Sequence, residues 1–263
     1  MYPSVKYLLL IVLIIEARSQ TLTGQTGQIG KKTYVQGAIT RGDPAVKEIA
    51  LIFSGDEYGE GLSFIRKKLK KEKVPASFFF TGRFYRNPAF RQGLRGLIRD
   101  GHYLGAHSDR HLLYCDWVRR DSLLINKQEF STDLDRNYEA MVKTGVDIRR
   151  AIYYLPPYEW YNDTISAWAA QKGIQLINFT PGTLSHTDYT TLSDKNYRSN
   201  EKIYESVIQY ENTRGLNGFI LLMHIGAGTG RPEKFYIHLP RLISHLNERG
   251  YVFRAVDELL RSQ

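Results

Sequence analysis

The chain has 263 residues, of which 42% are hydrophobic, and a formal net charge of +9. This length and apolar content are enough for one substantial core, within the range that single α/β barrels occupy. Cys115 is the only cysteine, which excludes an internal disulfide. We therefore expect the hydrophobic core alone to stabilise the fold, even if the chain is exported to an oxidising compartment.

Residues 1–19 have the composition and order of a secretory signal. Lys6 precedes an apolar run over residues 7–15, and the small residues Ala17 and Ser19 follow it. This run is well short of the ~20 residues that span a bilayer, so a membrane anchor is the weaker interpretation. The sequence therefore predicts cleavage after Ser19 and one secreted domain, periplasmic or extracellular, over residues 20–263, without a stable membrane anchor.

Apolar, β-rich segments alternate with helical patterns along the rest of the chain. Strands are predicted over residues 49–54, 76–82, 103–107, 151–155, 174–179, 219–224 and 251–256. Helices are predicted between them, over residues 61–71, 88–99, 132–144, 164–172, 201–212 and 235–249. Such alternation is typical of parallel βαβ units, and seven buried strands can close into a barrel or form a doubly wound sheet.

A basic segment over residues 65–73 carries much of the positive charge. Leu62, Ile65 and Leu69 keep helical spacing, which favours an amphipathic helix whose lysines face solvent. No nucleic-acid-binding motif or aromatic interleaving accompanies the lysines, so we expect no nucleic-acid partner. Attraction to an anionic cell-wall polymer is the alternative.

Several predicted strands end at polar or conformationally special residues. Asp56 follows the first strand, His107 ends the third, Pro156 and Pro157 follow the fourth, and His224 ends the sixth. In barrels of parallel strands the chemistry lies where strands end and loops begin. We therefore expect these residues to collect at one rim.

Two histidines in this set, His107 and His111, are four residues apart. On a helical turn this spacing places both imidazoles on one face, where they can share a zinc-like ion, although unrelated loop histidines can have the same spacing. Asp56 is the candidate third ligand, and an ordinary surface acid in a turn is the alternative. One Asp and two His would leave metal positions open for water and substrate, as a catalytic site requires.

Four short motifs in this order resemble those of the polysaccharide deacetylases of the NodB-homology type, carbohydrate esterase family 4. They are IFSGDE at residues 52–57, HSDRH at 107–111, LPPYEW at 155–160 and LLMH at 221–224. The resemblance covers residues 49–260 and implies an α/β fold, a distorted (β/α) barrel of about seven parallel strands. It also implies a divalent metal, with zinc as the first choice, held by Asp56, His107 and His111.

The resemblance implies further roles at matching positions. Tyr158 matches the residue whose backbone N–H helps to hold the tetrahedral oxyanion, and His224 matches the general acid that protonates the leaving group. Pro157, Tyr158 and Trp160 are the predicted substrate-binding residues, because aromatic rings stack well on sugars. The alternative for this segment is a rigid turn before a helix that starts near Asn162, with Trp160 in the core.

Two positions depart from the family pattern. Gly55 replaces the Asp that serves as general base, and Leu155 replaces the Arg that orients this base. Their joint loss is physically coherent, because either charge alone would be left unpaired. Three interpretations follow: another acid, with Glu159 favoured over Glu57 and Asp109, is the base; the metal alone lowers the pKa of the water; or the protein binds glycan without turnover.

The sequence thus predicts a metal-dependent hydrolase that removes acetyl groups from a glycan. The glycan is an N-acetylglucosamine-containing polysaccharide such as peptidoglycan, or an O-acetylated glycan. His224 and Glu159 are the predicted catalytic residues, and Asp188 either orients His224 or is an ordinary turn residue. The alternatives are a metal-bearing glycan-binding protein with little or no turnover and a metallohydrolase acting on a non-sugar amide. No protein partner is implied.

Overall fold

The structure is a computed structural model that describes residues 31–261. The predicted signal segment, residues 1–19, lies outside the described residues. No helix between residues 31 and 261 combines the length and apolar character that crossing a membrane requires.

Nine strands between residues 31 and 261 form one sheet. They are β1 (Thr33–Val35), β2 (Ala38–Arg41), β3 (Glu48–Gly55), β4 (Ser77–Phe80), β5 (Tyr103–Ala106), β6 (Tyr153–Tyr154), β7 (Gln175–Leu176), β8 (Phe219–His224) and β9 (Val252–Phe253). Their order is β1-β2-β8-β3-β4-β5-β6-β7, and β9 pairs with β3. The pairings among β3 to β9 are parallel, whereas β2 pairs with β1 and β8 in the antiparallel sense.

The seven predicted strands are confirmed as β3 to β9. The sheet curls so that Ile39 in β2 forms a parallel bridge with Ile177, the residue after β7. The N–H of Asn178 donates to the C=O of Ile39 at 2.9 Å and holds these edges together. This closure confirms the α/β class and the distorted barrel.

The β1–β2 hairpin was not among the predicted elements. Gln36 and Gly37 connect its strands with left-handed φ angles of 49° and 75°. A two-residue turn with positive φ at both positions matches the twist of the flanking strands. The Gln-Gly pair is a weaker signal of this turn than Asn-Gly or Asp-Gly, and the strands are short.

The described helices include all six predicted ones. They are α1 (Leu62–Glu72), α2 (Gly82–Arg86), α3 (Arg91–Arg99), α4 (Lys127–Thr144), α5 (Asp163–Gln171), α6 (Asn200–Arg214), α7 (Leu239–Glu248) and α8 (Val256–Leu259). The predictions missed the short helices α2 and α8. Helix α4 begins before the predicted residue 132, because Asn126 and Glu129 form a capping box. Helix α1 buries Leu62, Ile65 and Leu69, as predicted.

The core has two layers, one on each side of the sheet. Leu51 and Phe53 of β3 belong to the layer that contains the helix residues, and Ile52 belongs to the layer inside the barrel. Side chains alternate between the two faces of a strand. By this alternation the Ser54 side chain faces the barrel interior, and a side chain at position 55 would face the helix layer.

Candidate active site

A cavity of about 360 Å³ lies at the carboxyl ends of the parallel strands. It brings together most of the predicted site residues, namely Asp56, His107, His111, Tyr158, Glu159 and His224. Trp160 lies instead in the wall of an adjoining cavity, and Pro157 is buried within the turn that precedes Trp160. The rim expected from the strand ends is therefore one concave site.

His107 and His111 lie in a loop after β5. The expected helical turn is wrong, because Ser108 and His111 adopt left-handed φ angles of 70° and 57° that no α-helix contains. The loop nevertheless places the two Nε2 atoms 3.2 Å apart. The C=O of Leu155 accepts a hydrogen bond from His107 Nδ1 at 2.8 Å, which leaves Nε2 unprotonated in the neutral ring.

Both histidines are neutral at ordinary pH. Burial, with a smaller effect from His111, lowers the pKa of His107 to about 3. Burial and the charge of Arg83 lower the pKa of His111 to about 4. Neutral imidazole is the form that binds a metal ion.

Two buried polar side chains of α4 hold the histidine loop. Asn137 accepts the backbone N–H of His107 at 2.8 Å and donates to the C=O of Phe80 at 3.2 Å. Asp133 accepts the Ser108 hydroxyl at 2.5 Å and the N–H of Asp109 at 2.8 Å. These contacts fix the loop although it contains no regular structure. Nothing in the helical pattern of α4 distinguished these two residues from ordinary polar positions.

Asp56, the expected third metal ligand, has a different partner. Arg83 on α2 contacts both carboxylate oxygens, with Nε at 3.0 Å from Oδ1 and Nη2 against Oδ2, and the Thr81 hydroxyl donates to Oδ1 at 2.8 Å. Within residues 31–261, no three or more His, Cys, Asp and Glu side chains are arranged to hold a metal ion. The two neutral histidines fit a metal, but the three-ligand set is not assembled, because the Arg83 guanidinium holds the carboxylate.

The positions expected to carry the family's base and its Arg partner are apolar. A Cβ atom on Gly55 would lie 2.6 Å from Ile225 Cγ2 and 2.9 Å from Phe80 Cδ1, both in the helix layer of the core. Leu155 is fully buried inside the barrel. The backbone of Gly55 lines the cavity, but a side chain at this position would point into the helix layer, and Ser54 is the β3 residue whose side chain faces the cavity. The buried Ser54 hydroxyl has no hydrogen-bond partner among the described residues.

Glu159 combines a position in the cavity lining with a shifted pKa and an unusual backbone conformation. Burial raises its pKa to about 7, although the nearby His224 opposes this shift. Tyr158 and Glu159 both have left-handed backbones, with φ angles of 58° and 54°, a conformation that costs non-glycine residues energy. Asn178 supports the turn by donating to the C=O of Glu159 at 3.0 Å.

The two other acids considered for the base role differ from Glu159 in their surroundings. The side chain of Glu57 lines the same cavity but is 62% exposed, and it lies 3.8 Å from Arg83. Asp109 is buried, outside the cavity lining, and its Oδ1 lies 2.6 Å from Arg86 Nη1. Of these three acids, only Glu159 both lines the cavity and has a raised pKa.

His224 lies at the end of β8 and is held by Asp188. The carboxylate contacts His224 Nδ1 at 2.7 Å and accepts the backbone N–H of the same residue at 2.9 Å. Burial alone lowers the pKa of His224, but the charge and hydrogen bond of Asp188 outweigh it, so the pKa is raised overall. A histidine protonated near neutral pH can act as a proton donor.

A second cavity of about 380 Å³ adjoins the first. The two share Tyr158, Glu159 and Tyr189 in their linings. Trp117 is 55% exposed in the second cavity, and its ring centroid lies 5.5 Å from that of Tyr158 and 5.8 Å from that of Trp160. Exposed aromatic planes of this kind suit the C–H faces of sugar rings.

A buried arginine, Arg231, which was not predicted from the sequence, connects two loops beside the site. Arg231 is fully buried and donates to the C=O of Thr190 at 2.8 Å, to the C=O of Glu233 at 2.8 Å and to Asn200 Oδ1 at 2.8 Å. These bonds tie the segment that carries Asp188 to the loop after β8. An isolated arginine in a glycine-rich loop gave no local signal of this role.

Comparison with known proteins identifies the relatives of this chain. The family model described as polysaccharide deacetylase matches residues 41–177. The chain is 25% identical over 224 residues to an uncharacterised 30.6 kDa protein of Geobacillus stearothermophilus, covering 85% of this chain and 75% of the relative. It is 26% identical over 194 residues to a peptidoglycan-N-acetylglucosamine deacetylase of Bacillus cereus, covering 73% of this chain and 78% of that enzyme.

Solved structures show the same fold. A wild-type CE4-family pseudoenzyme of Bacillus anthracis aligns with a TM-score of 0.66 at 21% identity, covering 87% of this chain and 70% of that one. A mutant of this pseudoenzyme with restored enzymatic activity aligns with a TM-score of 0.65 at 22% identity, covering 87% and 72%. The family match, which spans half of the chain, and the barrel with its site at the strand ends lead to one conclusion: this chain belongs to the polysaccharide deacetylase family.

Proposed function

We propose that this protein hydrolyses acetyl groups on a glycan, either the N-acetyl group of an N-acetylglucosamine-containing polysaccharide such as peptidoglycan or an O-acetyl ester. The observation that carries this proposal is the pair of ionisable groups in one cavity. Glu159 has a pKa of about 7, and His224 has a pKa raised by Asp188. Acyl hydrolysis requires one group that accepts a proton from water and another that donates a proton to the leaving group, and a carboxylate and an imidazolium can supply these two functions.

The proposed roles follow from these protonation states. Ionised Glu159 accepts a proton from the attacking water, and protonated His224 donates a proton to the departing amine or alkoxide. Asp188 keeps the imidazole oriented and charged. We assign the backbone N–H of Tyr158 to binding of the oxyanion. The rings of Tyr158 and Trp160 bind the sugar, and Pro157 fixes the turn that carries both residues.

A divalent metal, with zinc as the proposed ion, would be held by His107 and His111, with Asp56 as the third ligand once Arg83 releases it. When bound, such an ion polarises the acetyl carbonyl and lowers the pKa of a coordinated water. The fit of the two histidines supports this part of the proposal: their Nε2 atoms are 3.2 Å apart and both rings are neutral.

The relatives support the substrate and the location. Relatives include a peptidoglycan-N-acetylglucosamine deacetylase and a peptidoglycan-N-acetylmuramic acid deacetylase of Bacillus subtilis, which is 23% identical over 193 residues. We propose that residues 20–263 form one secreted catalytic domain that meets an acetylated glycan outside the cytoplasm, without a nucleic-acid or protein partner.

A second candidate function is glycan binding with little or no turnover. The ion pair between Arg83 and Asp56 favours it, because this contact removes the carboxylate from the histidines. The apolar surroundings of Gly55 and Leu155 also favour it, because the cavity lacks the base found at this place in the family.

Acetate release distinguishes the two candidates. The purified protein is incubated with N-acetylglucosamine oligomers and with peptidoglycan, with and without added zinc. The His107→Ala variant is assayed under the same conditions. Zinc-dependent release that this variant loses supports the hydrolase. Glycan binding without acetate release at any zinc concentration supports the binding protein.

A further inference from the structure

The two adjoining cavities differ in the charge of their linings. The first contains four carboxylates, Asp56, Glu57, Glu159 and Asp194, and no Lys or Arg residue lines it within the described chain. The second contains one cationic residue, Arg120, and shares Glu159. A bound chain of sugars that crosses both cavities therefore meets a guanidinium in the lining of the second cavity only.

The Arg120 guanidinium is held by aromatic and backbone neighbours and also hydrogen-bonds the Tyr161 side chain. Its guanidinium carbon lies 4.3 Å from the centroid of the Trp160 ring, and its Nε donates to the C=O of Tyr161 at 2.5 Å. Asn162 Nδ2 donates to the C=O of Arg120 at 3.1 Å, which fixes the backbone as well. Across residues 31–261, no carboxylate forms an ion pair with Arg120, so its charge is available to a ligand.

Aromatic rings surround this cation. Trp117 and Trp160 lie with ring planes 30° apart, and the Trp160 indole N–H donates to the C=O of Asp116 at 3.1 Å. A sugar ring can stack on the exposed Trp117 while a carboxylate on the same sugar reaches the guanidinium. A preorganised guanidinium is well suited to carboxylate recognition, because less freedom is lost when the hydrogen bonds form.

We propose that the second cavity binds a carboxylate-bearing sugar next to the acetylated sugar, and that Arg120 recognises its carboxylate. The first cavity, which contains the proposed catalytic groups and has no Lys or Arg among its described lining residues, then takes the neutral acetylated sugar. The preferred ligand is thus a glycan in which neutral acetylated and acidic sugars are neighbours. This inference rests on the proposed function for the choice of a glycan, but it concerns binding and does not depend on turnover.

Binding of defined oligosaccharides to the purified protein, followed by calorimetry and tryptophan fluorescence at low ionic strength, tests this inference. The acidic ligands are a peptide-free tetramer of alternating N-acetylglucosamine and N-acetylmuramic acid, and a xylotetraose bearing glucuronic acid. The neutral ligands are the N-acetylglucosamine tetramer and unsubstituted xylotetraose. Arg120→Gln is compared with Arg120→Lys, which keeps the charge, and with Arg119→Gln, a matched variant of the exposed arginine next to it in the same loop.

We expect at least one acidic tetramer to bind about tenfold more tightly than its neutral partner. Arg120→Gln should abolish this preference while changing neutral binding by less than about twofold, Arg120→Lys should keep part of it, and Arg119→Gln should keep all of it. Which acidic tetramer is preferred identifies the source of the carboxylate. Equal binding of acidic and neutral ligands by the wild type, or a preference that survives in Arg120→Gln, overturns the inference. Because no step needs acetate release, these results are independent of whether the protein is a hydrolase.

Discussion

The Asp188 carboxylate contacts both the imidazole and the backbone of His224, with Nδ1 at 2.7 Å and the N–H at 2.9 Å. These two contacts hold the His224 ring in a fixed orientation, in which its other nitrogen, Nε2, faces the cavity. The carboxylate also stabilises the protonated imidazole, as the raised pKa of His224 shows.

Asp188→Asn should lower the pKa of His224, because it removes the charge that offsets burial. Less of the imidazole is then protonated at neutral pH, so acetate release should fall about 10- to 100-fold and its optimum should move to lower pH. A histidine titration by NMR measures the pKa directly. Asp135→Asn, an exposed acid on α4, is the control. An unchanged His224 titration in Asp188→Asn would contradict this role.

Glu159→Gln should change the pH dependence of stability in a defined direction. The folded pKa of Glu159, about 7, is above the usual glutamate value of 4.5, so the folded state binds a proton more tightly than the unfolded chain does. The wild type therefore loses about 1–3 kcal/mol of unfolding free energy from this group as pH rises from about 4.5 through 7, and the variant does not. Urea unfolding of both proteins between about pH 5 and 8 measures this difference. Parallel stability curves would show that Glu159 has an ordinary pKa.

Arg83→Ala should increase zinc affinity, by about tenfold or more, because it frees Asp56 to join His107 and His111. Isothermal titration with zinc measures the affinity without any substrate. Arg91→Ala, an exposed arginine outside the cavity lining, is the matched control. His107→Ala combined with Arg83→Ala should reverse the gain. Equal zinc affinity in the wild type and Arg83→Ala would mean that the ion pair does not compete with the metal.

Gly55→Asp should destabilise the protein without providing a base. The new side chain would meet Ile225 and Phe80 on the helix side of β3, and we expect a loss of about 1–3 kcal/mol, with more from burial of the charge. The melting temperature of Gly55→Asp is compared with that of Ser54→Asp, in which the new side chain faces the cavity. A normal melting temperature and higher acetate release in Gly55→Asp would show that position 55 faces the site.

The sequence predicted most of the barrel because its parallel strands overlap apolar segments of five to seven residues that are bounded by turn signals. The β1–β2 hairpin and nearly all of α2 lie outside these segments, so they were not predicted. The omission of α2 mattered, because this helix carries Arg83, and no local pattern connects Arg83 with Asp56. The expectation of a helical turn at His107 and His111 was wrong, because spacing alone does not report the left-handed backbone of Ser108.

Sequence order also could not show which residues of β3 face the cavity. The motif comparison placed the missing base at Gly55, and the strand alternation places Ser54 toward the cavity instead. In contrast, the contact between Asp188 and His224 was one of two alternatives in the sequence, and the structure shows the contact. Long-range pairs such as this one depend on how loops fold back over the strand ends. Local secondary-structure propensities contain no information about the path of these loops.

The central claim is that Glu159 and His224 hydrolyse an acetyl group on a glycan. Initial rates of acetate release from peptidoglycan and N-acetylglucosamine oligomers, at saturating zinc, test it for the wild type, Glu159→Gln, His224→Ala and the control Arg91→Ala. We predict release by the wild type and the control, with each active-site variant slowed about 10²- to 10⁴-fold while still binding the oligomers. Release that is unaffected by both substitutions, or no release by a wild type that binds zinc and glycan, would contradict it.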